Sequence, residues 1–338
     1  MAATLTDTDT DTSRTGLARP SVRRLAWVTW RQHRTQLLAL TGALTLCALI
    51  LLYYGRQMHA DFNTLGMSDC LPGHPKLDCA SKIEQFRVDE NRKSQLMAVF
   101  LPLPVLFGLF VGAPLLAREY ESGTYRFAFT QGAGRTRLLT VKISLLTLFT
   151  IAATTAFTLV VMWWYAPLVP LDGRIGNTGI PEIYGSVFVG RAVFALAVGV
   201  FAGALLRRVV PAIGVTLVTW IAVVVPSITA LRPHLLTPLT LVNPNADPGG
   251  WIISDVWKSP AGNVLSYDQV SQLQYDASVA GHKFDAFQYL AGRGYVHTVV
   301  YQPASRFWPL QAIETGGLAV LSVILLAATI WLVRRRAA

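Results

Sequence analysis

Charge is what this chain has least of. Only 14% of its residues are Asp, Glu, Lys or Arg, against about 25% in soluble globular domains, too few to solvate the surface of a soluble protein of this length. Catalytic and nucleotide-binding patterns are missing too. No lysine directly follows a glycine, which excludes the phosphate loop in which backbone amides and an ammonium cradle a nucleotide. HExxH, paired CxxC and GxSxG are absent, and the six histidines stand apart from one another, so no constellation for metal-assisted or nucleophilic chemistry can be drawn. The sequence predicts a chain that is not an enzyme and holds no cofactor or metal of its own.

What is present is apolar residues in long runs. Hydrophobic types make up 52% of the chain, and a helix needs about 20 of them in succession to cross a hydrocarbon core of roughly 30 Å. Uncharged or nearly uncharged runs occur at Leu37 to Tyr54, Leu96 to Ala117, Ile143 to Tyr165, Ile183 to Leu206, Val209 to Leu231 and Thr315 to Val333. They predict an all-α polytopic membrane protein with six transmembrane helices. The fourth run is the least clean. Arg191 interrupts it, and an arginine at that depth must snorkel outward or find a partner.

Six crossings put both termini on one side, and basic residues indicate which. Arg14, Arg19, Arg23, Arg24, Arg31 and Arg34 precede the first run, Arg118, Arg126, Arg135, Arg137 and Lys142 lie between the second and third, Arg207 and Arg208 between the fourth and fifth, and Arg334 to Arg336 after the sixth. By the positive-inside rule this side is cytosolic. The net charge of +10 is thereby explained by topology. It does not imply a nucleic-acid partner, because the basic residues flank apolar spans and form no stripe with interleaved aromatics. The first run lies behind a long polar and basic stretch, so no cleaved signal peptide is expected.

The remaining segments divide the chain further. Residues 1–20 alternate Thr and Asp with almost nothing apolar and are expected to form a disordered cytosolic tail. Over 21–36, Val22, Leu25, Ala26, Thr29 and Trp30 fall on one arc of a helical wheel and Arg23, Arg24, Arg31 and Arg34 on the other, the pattern of an amphipathic helix lying among lipid headgroups. Residues 37–231 hold the first five spans and the loop at 118–142. Residues 232–310 read as an extracytoplasmic subdomain, with a capping box at Ser266 and Gln269, Val270, Leu273, Ala277 and Ala280 at helical spacing, and a second short helix from Phe284 to Ala291. Residues 311–338 are the sixth span and its basic tail. Trp163, Trp164 and Tyr165, ahead of Pro167 and Pro170, read as an interfacial aromatic belt.

Three features stand out as candidate sites. Cys70 and Cys79 share the first outer loop, where an oxidising compartment favours a disulfide; two free thiols are the alternative, and a metal site with Asp69 and His74 matches no zinc spacing. Gly108 with Gly112, and Gly199 with Gly203, are GxxxG pairs that let helices approach closely, within one chain or across a dimer. Arg191 and Glu314 are ionisable residues at the outer ends of the fourth and sixth spans. Counted from the basic residues that end those spans, their depths are close enough for an ion pair.

The most informative segment is the polar interruption from Arg118 to Arg137. Glu119 and Glu121 can engage basic groups, Tyr120, Tyr125, Phe127 and Phe129 can fill an apolar cleft, and Gly123 and Gly132 permit turns. This composition is that of a docking loop, and it supplies a route for energy that the chain cannot generate itself. WVTWRQHRTQ at 27–36, AREYESGTYRFAFTQGAGRTR at 117–137 and YQPASRFWPLQAIE at 301–314 resemble permease subunits of type-two ATP-binding-cassette (ABC) exporters, particularly those of actinobacteria. The resemblance runs over nearly the whole chain.

It implies an interfacial elbow helix at about Ser21 to Gln36 and a coupling segment at Glu119 to Arg137. Within that segment, Glu119, Tyr120, Glu121, Gly123, Thr124, Tyr125, Arg126, Phe129 and Gln131 are the expected contacts to an ABC ATPase subunit, which would use ATP and magnesium. It also implies a second permease copy or a paralogue, a lipid environment, a bacterial plasma membrane with both termini cytosolic, and outward movement of a substrate; a path lined by apolar side chains would suit a hydrophobic or amphipathic one. The competing reading from the residues alone is a membrane-anchored sensor or envelope assembly factor that binds a ligand through its outer subdomain.

Overall fold

The computed structural model describes residues 22–70, 79–94, 97–123, 135–176, 179–244, 250–282 and 286–335. Six helices are long and apolar enough to cross a membrane: Ala26–Thr64, Leu103–Glu121, Thr136–Asp172, Ser186–Leu206, Val209–His234 and Ala304–Arg335. Leu46, Leu148, Val210, Val218 and Val323 are all exposed on these helices, as side chains that face lipid should be. With six crossings, residues 118–123 and the 207–208 turn share one face of the bundle, termed here the loop face. Residues 65–70, 79–94, 235–244, 250–282 and 286–303 lie at the other, the block face.

The first span differs from expectation. Val22–Thr64 is one continuous helix, with no break between the stretch read as an elbow and the span proper. Its buried side chains Thr29, His33, Leu37, Leu40 and Leu44 keep a spacing of three to four residues straight through that boundary, so the inward stripe never changes phase. Nor does 34–37 contain a glycine or proline to stop the helix. Trp27 and Trp30 are exposed on the same helix, with the Arg31 guanidinium 5.4 Å from the Trp27 ring.

The fourth span, Ser186–Leu206, is the most buried of the six and packs against the second, third, fifth and sixth. Its mean composition explains this position: alanine, glycine and valine leave little side chain between backbones. The two GxxxG pairs face each other inside the chain. A Cβ on Gly199 would stand 2.5 Å from the Gly108 carbonyl oxygen and 2.7 Å from the Ala113 nitrogen, and one on Gly112 would stand 2.6 Å from the Leu196 carbonyl oxygen. At this crossing the second span widens into a π-helical turn over Gly108–Gly112 between two α-helical pieces, Leu103–Phe107 and Ala113–Glu121. Such turns are rare and concentrate at functional positions.

The fifth span carries a second π turn, Ser227–Leu231, directly after Pro226. Proline has no N–H to give to the preceding turn, and the wider turn takes up the slack before a short 3₁₀ segment, Arg232–His234. The aromatic cluster that closes the third span is not an interfacial belt. Trp164 and Tyr165 are fully buried in the core, and only Trp163 is part-exposed, stacked on His59 at 4.7 Å.

The block holds a feature that the hydropathy reading does not anticipate. Strands β1 (Leu239–Val242), β2 (Gly250–Lys258) and β3 (Val296–Pro303) form an antiparallel sheet in the order β1-β3-β2. Both long strands are rich in valine, isoleucine, threonine and aromatics, which suit a pleated, half-buried surface. Between β2 and β3 come two helices, Tyr267–Val279 and Ala286–Gly292. The first begins with a capping box, Ser266 and Gln269 each bonding the other's backbone. On the same face Cys70 and Cys79 form a disulfide, with Cα atoms 5.2 Å apart, ahead of a helix at Cys79–Ser94.

Replacing Gly199 by alanine should lower stability by about 1–3 kcal/mol, the usual cost of overpacking, because backbone stands on the far side of the contact. Gly214, whose Cβ would meet nothing within 4 Å, is the control. Thermal unfolding of the two alanine variants in detergent should separate them, and equal midpoints would contradict the close approach.

Candidate functional site

The fourth span carries polar anchors at both ends. At the block face its second amide is bound from the sixth span: the Val187 N–H donates to Gln311 Oε1 at 2.9 Å, while Gln311 Nε2 donates to the Pro181 carbonyl at 2.6 Å. Gly185 precedes this helix at φ 103, a conformation that favours glycine. Its absent Cβ would also crowd Gln311 Oε1 at 3.0 Å. Ser186 Oγ and Thr315 Oγ1, 2.9 Å apart, make a second tie between the same helices.

Just inside this collar lies a buried cluster of four charges. Arg191 Nη2 donates to Glu314 Oε1 at 2.6 Å. Arg232 donates to Glu314 Oε2 through Nε at 2.9 Å and Nη2 at 2.6 Å, and to Glu182 Oε1 through Nη1 at 2.5 Å. Arg191 is only 2% exposed and Glu314 7%. Two guanidinium and two carboxylate groups sum to zero, which is what makes burial of four charges tolerable, and the fork of Arg232 supplies charge-assisted bonds to both carboxylates. The cluster joins the fourth, fifth and sixth spans and the connection after the third. Two of its atoms, Arg191 Nε and Glu182 Oε2, have no hydrogen-bond partner among the described residues.

The sequence brings Arg191 and Glu314 forward but passes over Glu182 and Arg232. Arg232 meets the same criterion, an ionisable residue at a span's outer end, and could have been nominated by it. Glu182 stands in a short helix, Ile180–Ile183, that no hydropathy window isolates. A cavity of about 210 Å³ adjoins the cluster, with Glu182 and Arg232 in its wall and Leu101, Ile175, Ile228 and Trp251 around them.

At the loop face the beginning of the proposed coupling segment is tied to three neighbours. Glu119 Oε1 pairs with Lys142 Nζ of the third span, a lysine that is itself buried. The Arg207 guanidinium, at the C-cap of the fourth span, sits 5.5 Å from the Tyr120 ring. Glu121 Oε1 accepts from the Val209 N–H at 2.9 Å, at the first residue of the fifth span, where helix amides lack partners and the dipole favours an anion. Both acids that the sequence offers to a partner thus bond within the chain. Gly123 is exposed at φ 67 with nothing near its Cα substituent position. Thr124, Tyr125, Arg126, Phe129 and Gln131 lie outside the described residues, as do Phe127 and Gly132. His33, buried on the first span and bonded to Gln36 Oε1 at 3.0 Å, is a loop-face polar residue that the sequence reading misses.

Among the described residues no three His, Cys, Asp or Glu side chains gather as metal ligands. What these elements define is a six-helix bundle of membrane-spanning length, with a polar collar and charge cluster at one face and the braced residues Glu119, Tyr120 and Glu121 at the other. Residues 41–232, more than half of the chain, match the family described as ABC-2 membrane transporter related, and the chain belongs to that family. It is a multi-pass transporter membrane subunit. Comparisons with curated proteins and with solved structures return no match.

Glu314 accepts from both arginines, so its loss leaves the two guanidinium groups short of a carboxylate. Glu314→Gln leaves two buried arginines with a single carboxylate, and breaking such a pair should destabilise by about 3–5 kcal/mol. Adding Arg191→Met should recover part of that loss, since the neutral Arg232–Glu182 pair remains. A charge swap between positions 191 and 314 should not rescue, because it sets the new arginine against Arg232. Thermal unfolding of the single, double and swap variants in detergent checks all three; a double variant less stable than Glu314→Gln would contradict the cluster.

Proposed function

We propose that this protein is the permease half of an ATP-driven exporter, moving a hydrophobic or amphipathic molecule outward across a bacterial plasma membrane. An ABC ATPase subunit, which uses ATP and magnesium, docks on the 118–142 loop from the cytosol. Both termini share that compartment, and the 232–310 block lies outside. A second copy of the chain or a paralogue completes the membrane half. The permease itself catalyses no reaction.

The observation that carries this reading is the bracing of Glu119, Tyr120 and Glu121 against the third span and the turn between the fourth and fifth. A push on the loop reaches Lys142 and Arg207–Val209 without slack, because each contact is an ion pair, a ring contact or an end cap. The fourth span then carries the displacement to the other face. Its backbone is too closely packed against the second span to bend independently, so it shifts as a body. The charge cluster at its far end is the closed gate, and displacement of Arg191 from Glu314 opens it. The cavity beside the cluster has apolar walls and a charged edge, which suits a cargo with an apolar body and a polar head.

Purification from detergent should recover an ABC ATPase with the wild-type chain, identified by mass spectrometry. Lys142→Met should still recover it, while ATP hydrolysis stimulated by the permease falls roughly tenfold, within the usual range of coupling energies. Failure to recover any ATPase, or full stimulation in the Lys142→Met complex, would overturn the assignment.

A further inference from the structure

The block contains a second cavity that the transport cycle does not use. It opens between one face of the sheet and the helix Tyr267–Val279, with a volume of about 520 Å³, inside the range of about 300–1,000 Å³ typical of small-molecule sites. The elements build it regularly. Asp255 and Trp257 of β2 and His297 and Val299 of β3 present side chains to it, with Trp257 opposite His297 and Asp255 opposite Val299 in the antiparallel register. Across from them Tyr267, Val270, Ser271 and Gln274 line the helix at the i, i+3, i+4, i+7 spacing of a single helical face.

The floor of this cavity is organised for recognition. The His297 ring lies flat against Trp257, centroids 4.2 Å apart and planes 12° from parallel, and Phe287 packs against both, 5.5 Å from the His297 ring and 5.7 Å from that of Trp257. His297 Nε2 is 2.9 Å from Asp255 Oδ1. This contact turns one carboxylate oxygen toward the ring and leaves Oδ2 with no part in it. His297 is buried, and its Nδ1 has no hydrogen-bond partner among the described residues, while the Asp255 side chain is 46% exposed. An exposed aspartate does not need a buried histidine for solvation. Holding it there fixes an acceptor at the edge of an aromatic floor.

The charge of the lining selects the ligand. Asp255 is the one formally charged group among the described lining residues, and no lysine or arginine is among them. An anionic ligand is therefore disfavoured, and a cation gains the carboxylate. We infer that the block is a binding site for a small cationic amphiphile, an aromatic or aliphatic body of drug-like size bearing a protonated amine. The body lies between the Trp257–His297 floor and Val270, and the amine donates to Asp255. This inference does not rest on ATP coupling, since binding is read without any ATPase. Failure of the exporter assignment would leave it standing, and the reverse also holds.

The test uses the full chain in lipid nanodiscs and a dansyl amide carrying a free primary amine on a five-carbon tether, with its N-acetylated neutral form as the comparison. Energy transfer from tryptophan to dansyl reports occupancy. The amine should bind saturably and the acetylated form about tenfold more weakly, the worth of one charge-assisted hydrogen bond. Asp255→Asn, which keeps shape and removes charge, should erase the difference between the two probes. Ser271→Trp, on the solvent-facing helix, should fill the cavity and abolish saturable binding of both, leaving only lipid partitioning, with circular dichroism showing the fold retained. Equal affinity for the two probes, a preference that survives Asp255→Asn, or binding that survives Ser271→Trp would overturn the inference.

Discussion

Four buried charges set the terms for the rest of this molecule. Glu314 is gripped by Arg191 and Arg232, and Arg232 also reaches Glu182. None of these groups could sit alone at that depth without a cost of several kcal/mol per ion, so the helices that bear them must meet there in a fixed arrangement. The fourth, fifth and sixth spans are thereby held at one end, and the Gln311 and Ser186–Thr315 bonds tighten the same end. The second span can approach the fourth closely only because glycines stand on both sides of the crossing.

The opposite end of the fourth span is held by different physics. There the contacts are one ion pair, between buried Lys142 and partly exposed Glu119, a cation over a ring and an end cap, with fewer buried charges than the four at the block face. A strongly held end and a weakly held end on one rigid helix is the arrangement a lever needs. In the proposed cycle the loop face yields to a partner, and the block face responds by parting Arg191 from Glu314.

Much of this was legible in the sequence. Long apolar runs gave the six helices and their order because crossing a membrane demands length and low charge, both countable. Arg191 and Glu314 stood out for the same reason, as charges where charges are expensive. The sheet was not legible. Its first strand is only four residues long, and the glycines, prolines and asparagines around the strands pointed to loops, while the clear capping box at Ser266 drew the block toward helices. Trp164 and Tyr165 were misplaced because an aromatic at a span's end reads as a belt, and only packing shows that these two turn inward. The elbow was separated from the first span by composition alone. The continuous stripe from Thr29 to Leu44 shows that change of polarity and change of direction are different things.

The central claim is that the loop face and the charge cluster move together. Hydrogen exchange on the transporter reconstituted with its ATPase, compared with and without trapped ATP, tests it most directly. The account predicts that residues 186–191 and 311–315 lose protection when residues 118–123 change. A response confined to the loop face, with both block-face segments unaltered, would contradict it.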